Sequence, residues 1–426
     1  MKEGCFIRAY KYWIVPETAQ SEPFLKGVAN AFGQTRFVYN KLKDYVDKKL
    51  DNREKLPSKT DLNNYVNRKL KKQHPFLRGS VDKFCFTHAA YQLHDAYSAF
   101  LEGKRGQPHF RKKFDSVQSF TTNFTNNNIK VDEENGIVEL PYFNKRKGCP
   151  VKAVIHRSIQ GRIIGAQVVR HATGDYYVVI ICEVKIDELP ENEKAVGLDL
   201  GIKDSVVCSD GTVINSIRAL YQSEKSVKRT QKSLSRKYEA AKKRTPEGCR
   251  VQLSKNYLKD KAKLARKHKR VRNQRYDLAQ KTSNKIVNEN QIIIIEDLHV
   301  KGMLKNHHLA KAIADAGFYQ LRRCIEYKAY ALGRILVRVD RWLPSSQLCS
   351  HCWYQNKEVK NLSIRVWDCP NCHTVHHRDV NAAKVIKAAG LEMLSKGYYH
   401  STSCRNAAKL SVWRGRYSQT NLTSPQ

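Results

Sequence analysis

Residues 195–205 read AVGLDLGIKDS, and no other stretch limits the possible fold as tightly. Val196, Leu198 and Leu200 alternate with Gly197, Asp199 and Gly201, which is the period of a half-buried strand. One face is aliphatic. The other carries a lone carboxylate with a glycine two residues to either side. The following KDSVVCSDGTVIN predicts two more strands around a Ser-Asp-Gly turn.

A three-strand meander whose first strand bears a lone Asp is how an RNase H-like sheet begins. Two further acids sit where such a sheet could use them. NQIIIIEDLHV predicts a buried strand ending in Glu296 and Asp297. HHRDVNAAKVIKAAG predicts a helix with Asp379 near its start and Ala382, Ala383 and Ile386 on a small, close-packing face. Alone, each acid is a turn former or a helix cap. Three in this order, each on the expected element, point to a site.

Charge names the partner class. The 426 residues hold 77 Lys and Arg against 40 Asp and Glu, a net charge of +37. Such a surplus repels itself unless a polyanion neutralises it, and nucleic acid is the polyanion that fits. No leader is read at MKEGCFIRAYKYW, and no apolar run approaches the ~18 residues of a membrane span. A cytoplasmic protein without a membrane partner is expected.

Four of the twelve cysteines are ordered. Cys349 and Cys352, then Cys369 and Cys372 after sixteen residues, form a C-x2-C…C-x2-C pair. That spacing places four thiolates around one structural Zn²⁺, and a redox pair would not come doubled. Between the pairs, Leu362, Ile364 and Val366 alternate as a strand would. His351, His373, His376 and His377 lie close by in sequence and read as surface or phosphate-contacting residues, with extra ligation of the metal as the alternative. The other eight cysteines read as reduced thiols.

Along the chain, residues 1–12 predict a strand and 13–106 a helical module. In that module Phe24, Val28, Ala31, Phe32, Phe37, Leu42 and Val46 form one stripe, and Phe84, Ala90 or Tyr91, and Tyr97 another. Residues 107–190 read as short β segments of a barrel or sandwich. The tract from Arg218 to Lys285 holds 23 Lys and Arg against 5 Asp and Glu. Leu264, Val271 and Leu278, with Leu258, Ala265 and Ala279, predict two antiparallel helices with an apolar seam and cationic outer faces.

GLDLGIKD, IIIIEDL, LPSSQLCSHC with its second C-x-x-C, and HRDVNAA together resemble the TnpB family, as do GQTRFVYNKLKDY and FRKK…FTNNNIKV. These are transposon-encoded, RNA-guided DNA endonucleases related to compact type V CRISPR effectors. The resemblance runs to about residue 390. It implies a multi-domain α/β protein: a β-barrel wedge domain (1–12 and 107–190) and a helical recognition domain (13–106). An RNase H-like RuvC domain (191–344 and 373–396) would include the basic hairpin 218–289. A zinc ribbon (345–372) interrupts it. Residues 397–426 are left as a basic tail, either disordered or in contact with RNA.

Carried over residue by residue, the catalytic carboxylates are Asp199, Glu296 and Asp379, holding two Mg²⁺ ions for in-line phosphodiester hydrolysis. Gly197 and Gly201 would leave room for a metal-bound phosphate. Arg378 would contact phosphate. Lys83, Thr87, Thr125 and Asn126 would read a short DNA motif beside the target. Guide RNA, target duplex and displaced strand are the implied partners, and no small-molecule substrate is. His377 stands where the family commonly has an acid. The alternative is a guided DNA-binding protein or transposition accessory factor without nuclease activity.

Overall fold

The computed structural model describes residues 4–16, 21–79, 81–141 and 149–397. Nearly all of the basic tail therefore lies outside the described residues. The chain divides into two compact units, Met1–Lys185 and Ile186–Gln426.

The first unit joins helices and sheet in one body. β1 (Cys5–Ile14) leads to α1 (Ser21–Asp51), α2 (Lys59–Tyr65), the single turn α3 (Lys71–Gln73) and α4 (Lys83–Leu101). Strands β2 (Gln118–Asn123), β3 (Lys130–Asp132), β4 (Ile137–Leu140), β5 (Cys149–Val154), β6 (Arg162–Arg170) and β7 (Tyr176–Lys185) follow. All pairings are antiparallel, in the order β2-β6-β7-β1-β5-β4-β3. No pairing between β2 and β3 closes the ladder among the described residues.

The helices are pinned onto this sheet by polar groups. Thr122 donates to buried Asp82, and His88 Nε2 lies 2.7 Å from Asn123 Oδ1. The α1 stripe is buried as expected, apart from half-buried Phe37. On α4 the buried side is Cys85, Phe86, Ala89, Ala90, Leu93 and Tyr97. Ala90 and Tyr97 are buried as expected, while Tyr91 is exposed and Phe84 only half-buried.

The second unit is built on β8 (Ala195–Asp199), β9 (Asp204–Cys208), β10 (Val213–Asn215), β11 (Ile292–Glu296) and β12 (Ile335–Val339), in the order β10-β9-β8-β11-β12. The first three form the antiparallel meander, turning at Gly211 (φ 90°). β11 runs parallel to both β8 and β12. Helices cover both faces: α5 (Ala219–Lys243), α6 (Lys255–Glu289), α7 (Val300–Met303), α8 (Ala310–Ala316) and α9 (Phe318–Ala331) precede β12, and α10 (Arg378–Lys396) ends the described chain. A hairpin of β13 (Val366–Asp368) and β14 (Val375–His377) precedes α10.

Side-chain parity sorts the sheet residues. Val196, Leu198, Ile293 and Ile295 share a core with Ile286 of α6 and Ile325 of α9. Ile292 and Ile294 face the other way, against Ile386 and Leu394 of α10. A strand covered on both faces must be apolar throughout, which accounts for four successive isoleucines. Burying each stabilises the fold by about 1.5–3 kcal/mol.

Gly197 lies on the α10 side. A Cβ there would sit 2.2 Å from the Ala383 carbonyl oxygen and 2.6 Å from the Lys387 nitrogen. The glycine therefore makes room for α10, and not for a phosphate as the sequence had suggested. Gly201 likewise serves a turn, since its Cβ would meet Asp204 O at 2.7 Å.

The basic hairpin forms, and its seam is mixed: of the expected residues Val271 and Ala279 are buried and Leu264, Ala265 and Leu278 half-buried, with polar contacts among them. Val227 and Val271 are buried near its base. Further out, Lys267 Nζ donates to Ser226 O (2.8 Å) and Thr230 Oγ1 (2.6 Å), and Asp260 accepts from Ser233 and Lys237. Leu258 is 52% exposed. Asp315 of α8 anchors the base. It accepts from the Leu220 N–H at 2.9 Å, capping α5, and pairs with Arg275 of α6 at 2.7 Å.

Gly197→Ala tests the seating of α10. The added methyl meets backbone, which cannot swing aside, so a loss of at least about 2 kcal/mol is expected in chemical unfolding. A change below about 0.5 kcal/mol would mean that α10 has slack at this point.

Candidate active site and metal centre

The parallel register pairs Leu198 with Ile295, so the next residues, Asp199 and Glu296, emerge side by side. Both stand at the C-terminal ends of their strands, on the face covered by α10. Asp379 lies in the first turn of that helix. The fold thus brings together all three predicted carboxylates.

Their electrostatics show the cost. The Asp199 carboxyl is pushed up to about 7, first by burial and then by the charges of Glu296 and Asp379; Arg378 and the Leu200 N–H oppose the shift. Burial also raises Glu296, against a hydrogen bond from Ser345 Oγ at 2.7 Å. Asp379 pairs loosely with Arg365 at 3.3 Å. Asp297 faces elsewhere, held at 3.2 Å by Arg322 and by Arg341.

Arg378 departs from its predicted place. It is 7% exposed and donates to Asn361 O at 2.8 Å, so it ties α10 to the preceding module and does not await a phosphate in solvent. The more exposed guanidinium beside Asp379 belongs to Arg365. Neither Arg365 nor Ser345 was singled out from sequence, although Ser345 lies within the quoted LPSSQLCSHC. His377 is exposed at the N-cap of α10.

The four cysteines converge, with all Sγ atoms within 4.8 Å of one another. Cys349 and Cys372 are 3.6 Å apart, and Cys352 and Cys369 3.5 Å. A tetrahedron with Zn–S bonds of about 2.3 Å has edges of about 3.8 Å, so the donor set fits structural zinc. The two knuckles are built alike. Each turns through a left-handed residue after its second cysteine, Trp353 (φ 64°) and His373 (φ 54°). Each of these residues donates its N–H back to the first cysteine's carbonyl at 2.9 Å.

Two expectations here are corrected. Leu362 and Val366 are exposed, and the buried residue of the short strand is Trp367. His376 is not a surface residue. It is 6% exposed, packs on Trp367 with centroids 4.8 Å apart, and sets Nε2 3.0 Å from Cys349 Sγ. The pairing of β13 with β14 places it there. His351 and His373 are exposed.

In the first unit, Lys83, Thr125 and Asn126 line one cleft of about 590 Å³ with Arg78, Asn127 and Asn128. Asn126 and Asn127 both have positive φ (50° and 56°), folding the loop tightly at the cleft. Thr87 is not among the lining residues and donates to Asn63 Oδ1 at 3.0 Å.

The geometry defines an α/β protein with a carboxylate cluster and an adjoining four-cysteine knuckle. Residues 318–386 match the family model described as "Cas12f1-like, TNB domain", and residues 179–307 the one described as "Probable transposase". A provisionally named RNA-guided DNA endonuclease of Streptomyces pristinaespiralis is 39% identical over 222 residues, 52% of each chain. A similarly named Escherichia coli protein is 28% identical over 72% of this chain and 74% of its own. The match thus spans about half the length of the Streptomyces relative. A solved Cas12f1–sgRNA–target DNA complex aligns over 90% of this chain and 99% of its own, at 13% identity and a TM-score of 0.33. The resemblance to the TnpB family is borne out. Among the described residues no helix is long and apolar enough to cross a membrane.

Two measurements test this geometry. Purified protein should hold about one zinc per chain, and Cys369→Ser should lose it; unchanged zinc content would place the metal elsewhere. Asp199→Asn should stabilise the metal-free protein in a pH-dependent way. The folded-state pKa lies above the unfolded 3.8, so wild-type stability falls as pH rises from about 4 towards 7. The variant avoids that loss. Its advantage in EDTA should grow by on the order of 2 kcal/mol between pH 5 and 8, and a pH-independent difference would show that Asp199 is not raised above the ordinary carboxylate range in the folded protein.

Proposed function

We propose that the chain is an RNA-guided DNA endonuclease whose active site is Asp199, Glu296 and Asp379. The observation that carries this reading is the convergence of three carboxylates at one end of the sheet, at a cost in mutual repulsion. Repelling acids held together suit a site completed by cations. The strand order, a three-strand antiparallel meander followed by two strands parallel to the first, supports an RNase H-like domain of RuvC type.

The donors are hard oxygens, the set Mg²⁺ prefers, so these three residues would hold the two ions that the family resemblance implies. Bound there, such ions supply the charge that phosphodiester hydrolysis needs on its attacking and departing oxygens. The chain's own contribution is positional. Ser345 fixes one oxygen of Glu296. Arg365, at the solvent edge of Asp379, is placed to meet a phosphate of the bound strand.

The net charge of +37 and the basic hairpin supply grip on a polyanion. Relatives named as RNA-guided DNA endonucleases support guide RNA and target DNA as that polyanion. The cleft at Lys83, Thr125 and Asn126 would read the short flanking motif, with polar side chains suited to base edges. Thr87 is dropped from that set.

With guide RNA, a matched DNA duplex and Mg²⁺, Asp199→Ala, Glu296→Ala and Asp379→Ala should each reduce cleavage by at least about a thousandfold, non-additively. Guide and target binding should persist. Cleavage at near wild-type rate by Asp199→Ala would place the active site elsewhere. No cleavage by the wild-type chain, with target binding intact, would favour a guided binding protein.

A further inference from the structure

A groove of about 810 Å³ in the first unit is lined by none of the residues assigned above. Its walls include Phe37, Phe76 and Phe110, with Arg36, Lys41 and Lys113 among them. Phe76 and Phe110 are each 51% exposed. Phe37 and Phe76 meet edge to face at 5.2 Å, so Phe76 is braced by a neighbour while half its surface stays open. Lys43 Nζ lies 4.5 Å from the centroid of Phe110. The one acid on the wall, Asp44, is already paired with Lys48 at 3.0 Å.

A glycine supplies the independent observation. Gly33 lies in the middle of the 31-residue helix α1, where glycine costs about 0.5–1 kcal/mol relative to alanine. Its φ is not positive, and a Cβ there would find only Arg36 Nη2, at 3.9 Å. Neither turn geometry nor packing asks for a glycine. It lines the groove, and it keeps that wall flat.

We infer that this groove binds unpaired RNA nucleotides, with bases stacked on Phe76 and Phe110 and the backbone held by Arg36, Lys41 and Lys113. Aromatic faces beside cations are the common means of holding single strands, because every base has a π-face. The exposed Asn30, whose Oδ1 accepts from buried Gln34 Nε2 at 3.1 Å, lines the same groove and offers its amide N–H to a ribose 2′-hydroxyl, which favours RNA over DNA. The inference concerns a surface in the first unit and stands or falls apart from the carboxylate site.

The test uses the full chain and a hexamer of RNA carrying 5-iodouracil, with photocrosslinks mapped by peptide sequencing. Crosslinks are expected at Phe76 or Phe110. Phe76→Ala and Phe110→Ala should each weaken crosslinking at this groove about 5- to 100-fold. Gly33→Leu should abolish it while the melting temperature holds or rises, because the substitution relieves a helix-interior glycine. Crosslinks elsewhere, on the basic hairpin for instance, should be unchanged in all three variants. Crosslinks confined to other surfaces, or indifferent to Gly33→Leu, would overturn the inference. So would a DNA hexamer of the same sequence that crosslinks here equally well.

Discussion

The close seating of α10 on the sheet is the constraint on which the second unit depends. Two glycines permit it. Gly197 lets the strand meet the helix backbone, and Gly390 lets the helix meet Ile294, where a Cβ would fall 2.3 Å from that side chain. Between them Ala382, Ala383 and Ile386 are fully buried or nearly so. A bulkier interface would lift the helix by an ångström or more. Asp379 sits at its first turn and would move with it. The glycine two residues before Asp199 therefore acts on the carboxylate cluster through the helix, not through space left beside it.

That seating would be hard to hold against the charge it creates. Asp199 is pushed up to about 7 by its burial first, and then by the charges of Glu296 and Asp379. The opposing apolar layers supply the force: Val196, Leu198, Ile293 and Ile295 on one side, Ile292 and Ile294 on the other. Burial of several such side chains outweighs the cost of one protonation-shifted carboxylate several times over. The same argument accounts for a strand as apolar as β11 ending in an acid.

How far the sequence revealed this follows the range of each interaction. Alternation around Asp199 and the run of isoleucines are local patterns, and they located β8, β11 and both strand-end acids. The cysteine spacing is equally local, and all four Sγ atoms converge. What the sequence hid is what depends on a distant partner. Nothing near Arg378 in the chain says that Asn361 takes its guanidinium. His376 becomes buried only because β14 pairs with β13 and sets it on Trp367. In the basic hairpin the heptad leucines suggested an apolar seam, but Lys267 and Asp260 turn inward to hydroxyl and carbonyl partners across it. The polar part of the seam leaves no periodic mark.

These long-range contacts also explain why a metal module is inserted at this point. The knuckles do not simply precede α10; they hold its first turns. Asn381 Oδ1 accepts from the Ser350 N–H at 2.9 Å, and its Nδ2 donates to Leu348 O at 2.6 Å, so the first knuckle grips the helix from one side. Arg378 grips from the other, through its guanidinium to Asn361 O and its N–H to Arg365 O at 2.9 Å. Asp379 lies between these two clamps. Repulsion from an ionised Asp199 acts to push it away when no cation is bound. A fold with only a short β-hairpin and one buried tryptophan has too small a core to resist, as small modules generally do without a metal or a disulfide. Four thiolates on one ion would supply the missing rigidity. A structural metal held there would thereby bear on the geometry of the carboxylate site without touching it.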